Sequence, residues 1–403
     1  MSQMVAEALL QASIEQARGD MQSTGSDSTP NADAYLDDPR FNQTFTLPPG
    51  PGRPAPFNVT YSDYGYRNPD EPEKENVLLF CGPLFSSRFL HVAKDKLAKK
   101  YHVRIINPDR PGLGGTTEVD AHRRLEVWLE IVPALLQHLK VPHVTLACQS
   151  AGTIYALHTL LHLRHLLRPD RPYVAFCGPW VHPAHSGVTL MALSNALPSA
   201  VLKHFDSIAG FVNSKVGPIV GFSSGLLSIL SPSWGQGKQP PIAEGADAEM
   251  AEFEEKMLPC FINRAYTENI SGMGQEVLLL LKKQKAGLSG GDLTWGTWDD
   301  VDKFVPMLAA LEGEGQASGG SPSTNSSVQL EIEIFFAESD NMIGEAAGPQ
   351  WLADCWKTEC RGSSIGFQSH VVEGTEHDTI LNLRFGVMEN IFRKMAGTSK
   401  DIN

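Results

Sequence analysis

The chain has 403 residues, 42% of them hydrophobic, enough to bury one large core with an added lobe or two modest domains. A formal net charge of -13 argues against nucleic acid or an anionic membrane surface as the main partner. Six cysteines without a C-x-x-C pair or zinc spacing read as free thiols in a reducing, cytoplasmic compartment, with no metal and no other cofactor expected.

Residues 1–18 lack the basic start and continuous apolar run of a signal peptide. The polar stretch 22–30 that follows has nothing to bury, so residues 1–40 are expected to form a disordered or loosely docked arm. Strand-like pieces come at 44–47 and 57–61, separated by Pro48-Pro49-Gly50-Pro51-Gly52. Val77-Leu78-Leu79-Phe80-Cys81 is an apolar run of the kind a strand buried on both faces needs. A helix is expected over 89–100, a strand over 103–106 and an amphipathic helix over 125–139. Strand 144–148 leads directly into another helix, and Tyr173-Val174-Ala175-Phe176-Cys177 reads as the next strand. This alternation implies a doubly wound, mostly parallel α/β sheet, its first part spanning 41–180.

The alternation then stops. Residues 181–294 read as helical and glycine-punctuated, with helices near 187–204, 208–230, 248–266 and 275–285. Two uncharged stretches, 172–202 and 216–237, are broken by prolines and make poor membrane spans, so no stable membrane insertion is expected. The second part of the core, 295–403, opens with a helix over 295–311 and a Gly/Ser loop over 313–327. Strands at 328–336 and 367–372 and helices at 346–356 and 379–395 complete it.

The segment Cys148-Gln149-Ser150-Ala151-Gly152 joins a short apolar strand to a helix whose Ile154, Leu157 and Leu161 share one face. A sharp strand-to-helix turn strains its apical residue and lifts that side chain clear of the sheet. Small neighbours are needed where strand and helix pass close together. A serine hydroxyl is a weak nucleophile, so it needs a base, and the base needs a partner to hold its tautomer. Downstream, Phe335-Phe336-Ala337-Glu338-Ser339-Asp340 offers an acidic turn leaving a strand, and Val371-Val372-Glu373-Gly374-Thr375-Glu376-His377 offers a histidine leaving the last one. Both lie at carboxyl ends of expected strands, where a parallel sheet places its site.

These pieces together resemble the α/β-hydrolase family over residues 44–395 outside the insertion, with 181–294 as a helical cap. The resemblance implies a triad of Ser150, Asp340 and His377, Asp340 being preferred to Glu338 by its likeness to the family's Gly-x-x-Asp turn. It implies an oxyanion hole from the backbone N–H groups of Ala151 and of Leu84 or a neighbour, in a loop where Cys81-Gly82 stands for the family's His-Gly. Pro83 has no N–H to donate there. Asn107-Pro108-Asp109-Arg110-Pro111-Gly112-Leu113-Gly114 is similar to the family's Asp-x-x-Gly-x-Gly turn, where Arg110 suits a tight, hydrogen-bonded bend. Cys81 and Cys148 would end adjacent strands, as buried inert thiols or as a redox-sensitive pair. Serine rather than aspartate at the elbow argues against epoxide-hydrolase or dehalogenase chemistry. The implied activity is hydrolysis of a small or medium apolar ester, with Ile219, Phe222, Leu226 and His182 as candidate pocket residues. A peptidase, thioesterase or carbon–carbon bond hydrolase using the same triad, or a catalytically silent ligand-binding protein, are the alternatives.

Overall fold

The computed structural model describes residues 32–50, 52–85, 87–202, 240–283, 293–318 and 328–397. An eight-stranded sheet runs through them in the order β1-β2-β4-β3-β5-β6-β7-β8. Its strands are β1 (Gln43–Leu47), β2 (Phe57–Gly65), β3 (Asn76–Cys81), β4 (Val103–Pro108), β5 (Thr145–Ser150), β6 (Tyr173–Pro179), β7 (Leu330–Ser339) and β8 (Ile365–Glu376). β2 pairs antiparallel with β1 and β4, and every other neighbouring pair is parallel. The apolar runs fall on the central strands for a physical reason: β4, β5 and β6 are buried at every residue, having helices on both faces.

The helices are α1 (Ala32–Leu36), α2 (Asp95–Lys100), α3 (Arg124–His138) and α4 (Gly152–His162), then α5 (Pro183–Ser186), α6 (Thr189–Ala196), α7 (Ser199–Leu202), α8 (Ala248–Thr267) and α9 (Gly272–Leu280) between β6 and β7. α10 (Val301–Ser318) returns to the core, followed by α11 (Ala347–Cys355), α12 (Thr358–Arg361) and α13 (Val387–Ala396). One face of the sheet packs Leu79, Leu146, Val174 and Ile332 against residues of α3, α4 and α10. The other packs Leu78, Phe80, Ala147 and Phe335 in a cluster that includes Leu97 of α2 and Ile391 and Phe392 of α13.

Several expectations are corrected. The arm expected through residue 40 is docked from α1 onward: Leu36 and Phe41 are buried, and Tyr35 packs on Phe253 and Phe261 while its hydroxyl donates to the Val92 carbonyl. The helix expected near 248–266 forms α8 and packs against the core. Its Ala251, Met257 and Phe261 join the same apolar cluster as the sheet face, each buried Met or Phe contributing about 1.5–3 kcal/mol. The helix expected from Trp295 begins at Val301, because Gly296 (φ +99°) and Asp299 (φ +55°) turn the chain left-handed and Asp300 Oδ1 accepts the Val301 N–H. The Gly/Ser loop expected over 313–327 does not include 313–318, where α10 runs through Ser318 with its Leu308 buried and its Glu312 paired with Arg164. Residues 319–327 lie outside the described residues, as do 1–31 and the expected helix at 208–230. Near the C-terminus, Gly386 (φ +71°) splits the single helix expected over 379–395 into a 3-10 turn, Leu383–Phe385, and α13.

Candidate active site

One residue, Ala151, separates the end of β5 from the start of α4. The turn holds Ser150 at φ +50°, a left-handed conformation that residues other than glycine seldom adopt. A Cβ on Gly152 would lie 2.0 Å from the Cys81 carbonyl oxygen, so α4 can pass β3 this closely only with glycine there. At the other flank, Cys148 is wholly buried with Sγ 3.9 Å from Thr153 Oγ1, filling space beside the first turn of α4.

His377 follows β8, and Asp340 follows β7. His377 Nε2 lies 2.8 Å from Ser150 Oγ, and its Nδ1 lies 2.7 Å from Asp340 Oδ2. An ionised carboxylate only accepts, so Nδ1 carries the proton, leaving Nε2 of the neutral ring to accept from the Ser150 hydroxyl. Asp340 Oδ1 accepts the N–H groups of Met342 at 2.8 Å and Ile343 at 2.9 Å. Burial opposes the charged forms of both groups, but each outweighs it for the other. Asp340 raises the His377 pKa above its ordinary value, while His377 and the two backbone donors hold Asp340 below the usual carboxylate range. Glu338 is turned elsewhere: it is exposed, and its Oε2 accepts the Gly374 N–H at 2.8 Å.

The N–H groups of Ala151 and Leu84 have no acceptor among the described residues. Behind Leu84, the Arg110 guanidinium donates through Nη1 to the Gly82 carbonyl at 2.7 Å, and through Nη2 to the Pro83 carbonyl and to that of Leu84 at 3.1 Å. Sequence reasoning gave Arg110 a place in its own turn and missed this fork. It also missed Glu276, whose signal was legible as a single acid inside the apolar run Val277-Leu278-Leu279-Leu280 and its preceding turn. Phe85, beyond Leu84, stacks on Tyr266 of α8 with ring centroids 4.4 Å apart.

Of the candidate pocket residues, Ile219, Phe222 and Leu226 lie outside the described residues. His182 serves the first turn of the insertion: its Nδ1 accepts the Ala184 N–H at 3.3 Å, and its ring stands edge-on to Trp295. Cys81 and Cys148 are register partners on adjacent strands. Burial pushes the Cys81 thiol up to about 12 and Cys148 well above its ordinary value, which suits inert thiols.

The strand order, the parallel centre and the elbow at Ser150 together define an α/β-hydrolase fold. Among solved structures, a malate-bound thermophilic esterase from Thermogutta terrifontis aligns with 88% of this chain and 99% of its own, at a TM-score of 0.50 and 12% identity. An enol-lactonase from Burkholderia xenovorans LB400 aligns over 88% of this chain and 99% of its own, at a TM-score of 0.49 and 11% identity. At such identities the likeness is one of fold. No protein family and no curated protein matches the sequence.

Proposed function

We propose that this chain is a serine hydrolase that cleaves a carboxylic ester of a small or medium apolar substrate through an acyl-serine intermediate. The observation that carries this reading is the hydrogen-bond chain Ser150–His377–Asp340, 2.8 Å and 2.7 Å long, ending on a serine in strained left-handed geometry. Ser150 Oγ attacks the ester carbonyl carbon as His377 Nε2 takes the hydroxyl proton, and Asp340 stabilises the imidazolium. The carbonyl oxygen, now negative, accepts from the N–H groups of Ala151 and Leu84, each donor being worth about 10²–10³ in rate. The alkoxide leaves with the proton from His377. Water then attacks the acyl-serine by the same route, His377 taking its proton and returning it to Ser150 Oγ as the carboxylic acid departs. An apolar substrate suits the surroundings of Leu84, which packs beside Phe85, Leu113 and Met273.

Steady-state hydrolysis of aryl esters of graded acyl length tests this. Wild-type protein is expected to turn over apolar esters, and Ser150→Ala to be folded and without turnover. Absence of turnover across the series, or a rate retained by Ser150→Ala, would contradict it.

A further inference from the structure

Arg110 joins two parts of the molecule that the proposed reaction needs in fixed relation. On one side, its two terminal nitrogens hold the three consecutive carbonyls of Gly82, Pro83 and Leu84. On the other, its Nε lies 3.3 Å from Glu276 Oε1, contributed by α9 of the insertion. That same oxygen accepts from Arg124 Nε at 2.7 Å and from the Tyr155 hydroxyl at 2.5 Å. Arg110, Arg124 and Glu276 are all wholly buried, and the Arg110 guanidinium sits 4.7 Å from the Tyr155 ring centre. Burial alone would push the Glu276 carboxyl up, but Arg110 and Arg124 outweigh it and hold it ionised.

The consequence for the loop follows from peptide geometry. In a trans peptide unit the carbonyl and the next residue's N–H point in opposite directions. Holding the Pro83 carbonyl on Arg110 therefore turns the Leu84 N–H away from Arg110, and holding the Leu84 carbonyl does the same for Phe85. Pro83 brings no N–H of its own, so the residue next to Leu84 cannot take over as donor. A planar guanidinium is suited to this, because its donors are fixed relative to one another.

We infer that Arg110 is a positioning residue for the oxyanion-binding loop, and that Glu276 ties its hold to the docking of the insertion. The inference rests on the ester-hydrolase reading of Ser150. A purely structural arginine would affect stability and substrate binding without favouring the oxyanion, and that difference is measurable. Arg110→Lys keeps a cation beside Glu276 but offers one ammonium, which cannot span three carbonyls in fixed geometry. Glu276→Gln keeps the shape of the partner and removes its charge.

The test compares kcat and KM for an aryl ester with the affinities of a trifluoromethyl ketone and the matching methyl ketone. The fluorinated ketone adds Ser150 Oγ to its carbonyl carbon, passes the proton to His377 and places a negative oxygen in the oxyanion site, while the methyl ketone binds without adding. Arg110→Lys is expected to lower kcat about 10–100-fold, with KM within about twofold, and to weaken the trifluoromethyl ketone by the same factor. The methyl ketone should bind as before, and Glu276→Gln should act in the same direction, less strongly. If Arg110→Lys fails to fold, Glu276→Gln decides the matter. A folded variant with wild-type kcat and ketone affinity, or equal weakening of both ketones, overturns the inference while leaving the ester-hydrolase reading intact. Wild-type protein that neither turns over the ester nor adds to the trifluoromethyl ketone overturns both.

Discussion

The two oxygens of Asp340 are engaged differently, Oδ2 by His377 and Oδ1 by two backbone N–H groups of its own turn. Asp340→Asn can keep the backbone bonds, but an amide beside Nδ1 favours the wrong imidazole tautomer. Turnover should fall by about 10⁴-fold while the melting temperature changes little. Glu338→Gln should cost less than about tenfold, or ~1.4 kcal/mol of barrier, because Glu338 bonds Gly374 and not His377. The opposite ranking in folded variants would transfer the acid's role to Glu338. His377 must be neutral to act as base, and Asp340 raises its pKa. Rate should therefore rise with pH through one ionisation above the ordinary histidine value of about 6.5, and a profile flat from about pH 5 to 8 with chemistry rate-limiting would rule out this base. Stability runs the other way. A raised histidine pKa contributes stability in full below about pH 6.5, lost as pH rises through the folded value; a depressed aspartate pKa contributes above about pH 3.9, lost as pH falls through its own. Activity should therefore peak at higher pH than this pair's contribution to stability.

At the scale of elements, the closest approach is α4 against β3. Gly152→Ala would force a Cβ to 2.0 Å from the Cys81 carbonyl oxygen, where backbone itself must move. We expect a loss of about 1–3 kcal/mol or more in denaturant unfolding. Wild-type stability in that variant would mean the elbow is looser than described. The central strands were largely legible because buried parallel strands read as apolar runs, and the turns holding Ser150 and Asp340 were legible because each follows such a stretch; β8, which leads to His377, is little buried and offers only short apolar pieces. Other features were missed for identifiable reasons. Gly296 and Asp300, which caps Val301, were local signals passed over, so the helix from Trp295 was placed too early. The docking of α1 depends on Tyr35 meeting Phe253 and Phe261, more than two hundred residues away, which no local pattern encodes. Arg110's grip on the Gly82–Leu84 carbonyls is likewise a contact between loops of different strands.

Across the molecule, α8, α9 and the turn joining them are tied to the core by buried charge. Lys94 Nζ lies 2.5 Å from Glu254 Oε1, both side chains buried, and Glu254 Oε2 accepts the Leu383 N–H at 2.6 Å. Arg88 bridges Asp109 of the core and Glu268 of the insertion at 2.7 Å and 2.6 Å. Glu254→Ala leaves Lys94 buried without its partner and should cost about 3–5 kcal/mol in denaturant unfolding. A cost under about 1 kcal/mol would mean that α8 is not held by this pair. These ties make the insertion part of the frame that carries the site, with Glu276 reaching the loop beside Ser150 through Arg110. Whether Ser150 is the nucleophile is read most directly by locating a fluorophosphonate adduct through peptide mass mapping of the full chain. One adduct is expected, on the peptide containing Ser150, absent from folded Ser150→Ala and formed far more slowly by His377→Ala. A phosphonate that leaves Ser150 unmodified, or that still labels folded Ser150→Ala, would contradict that role.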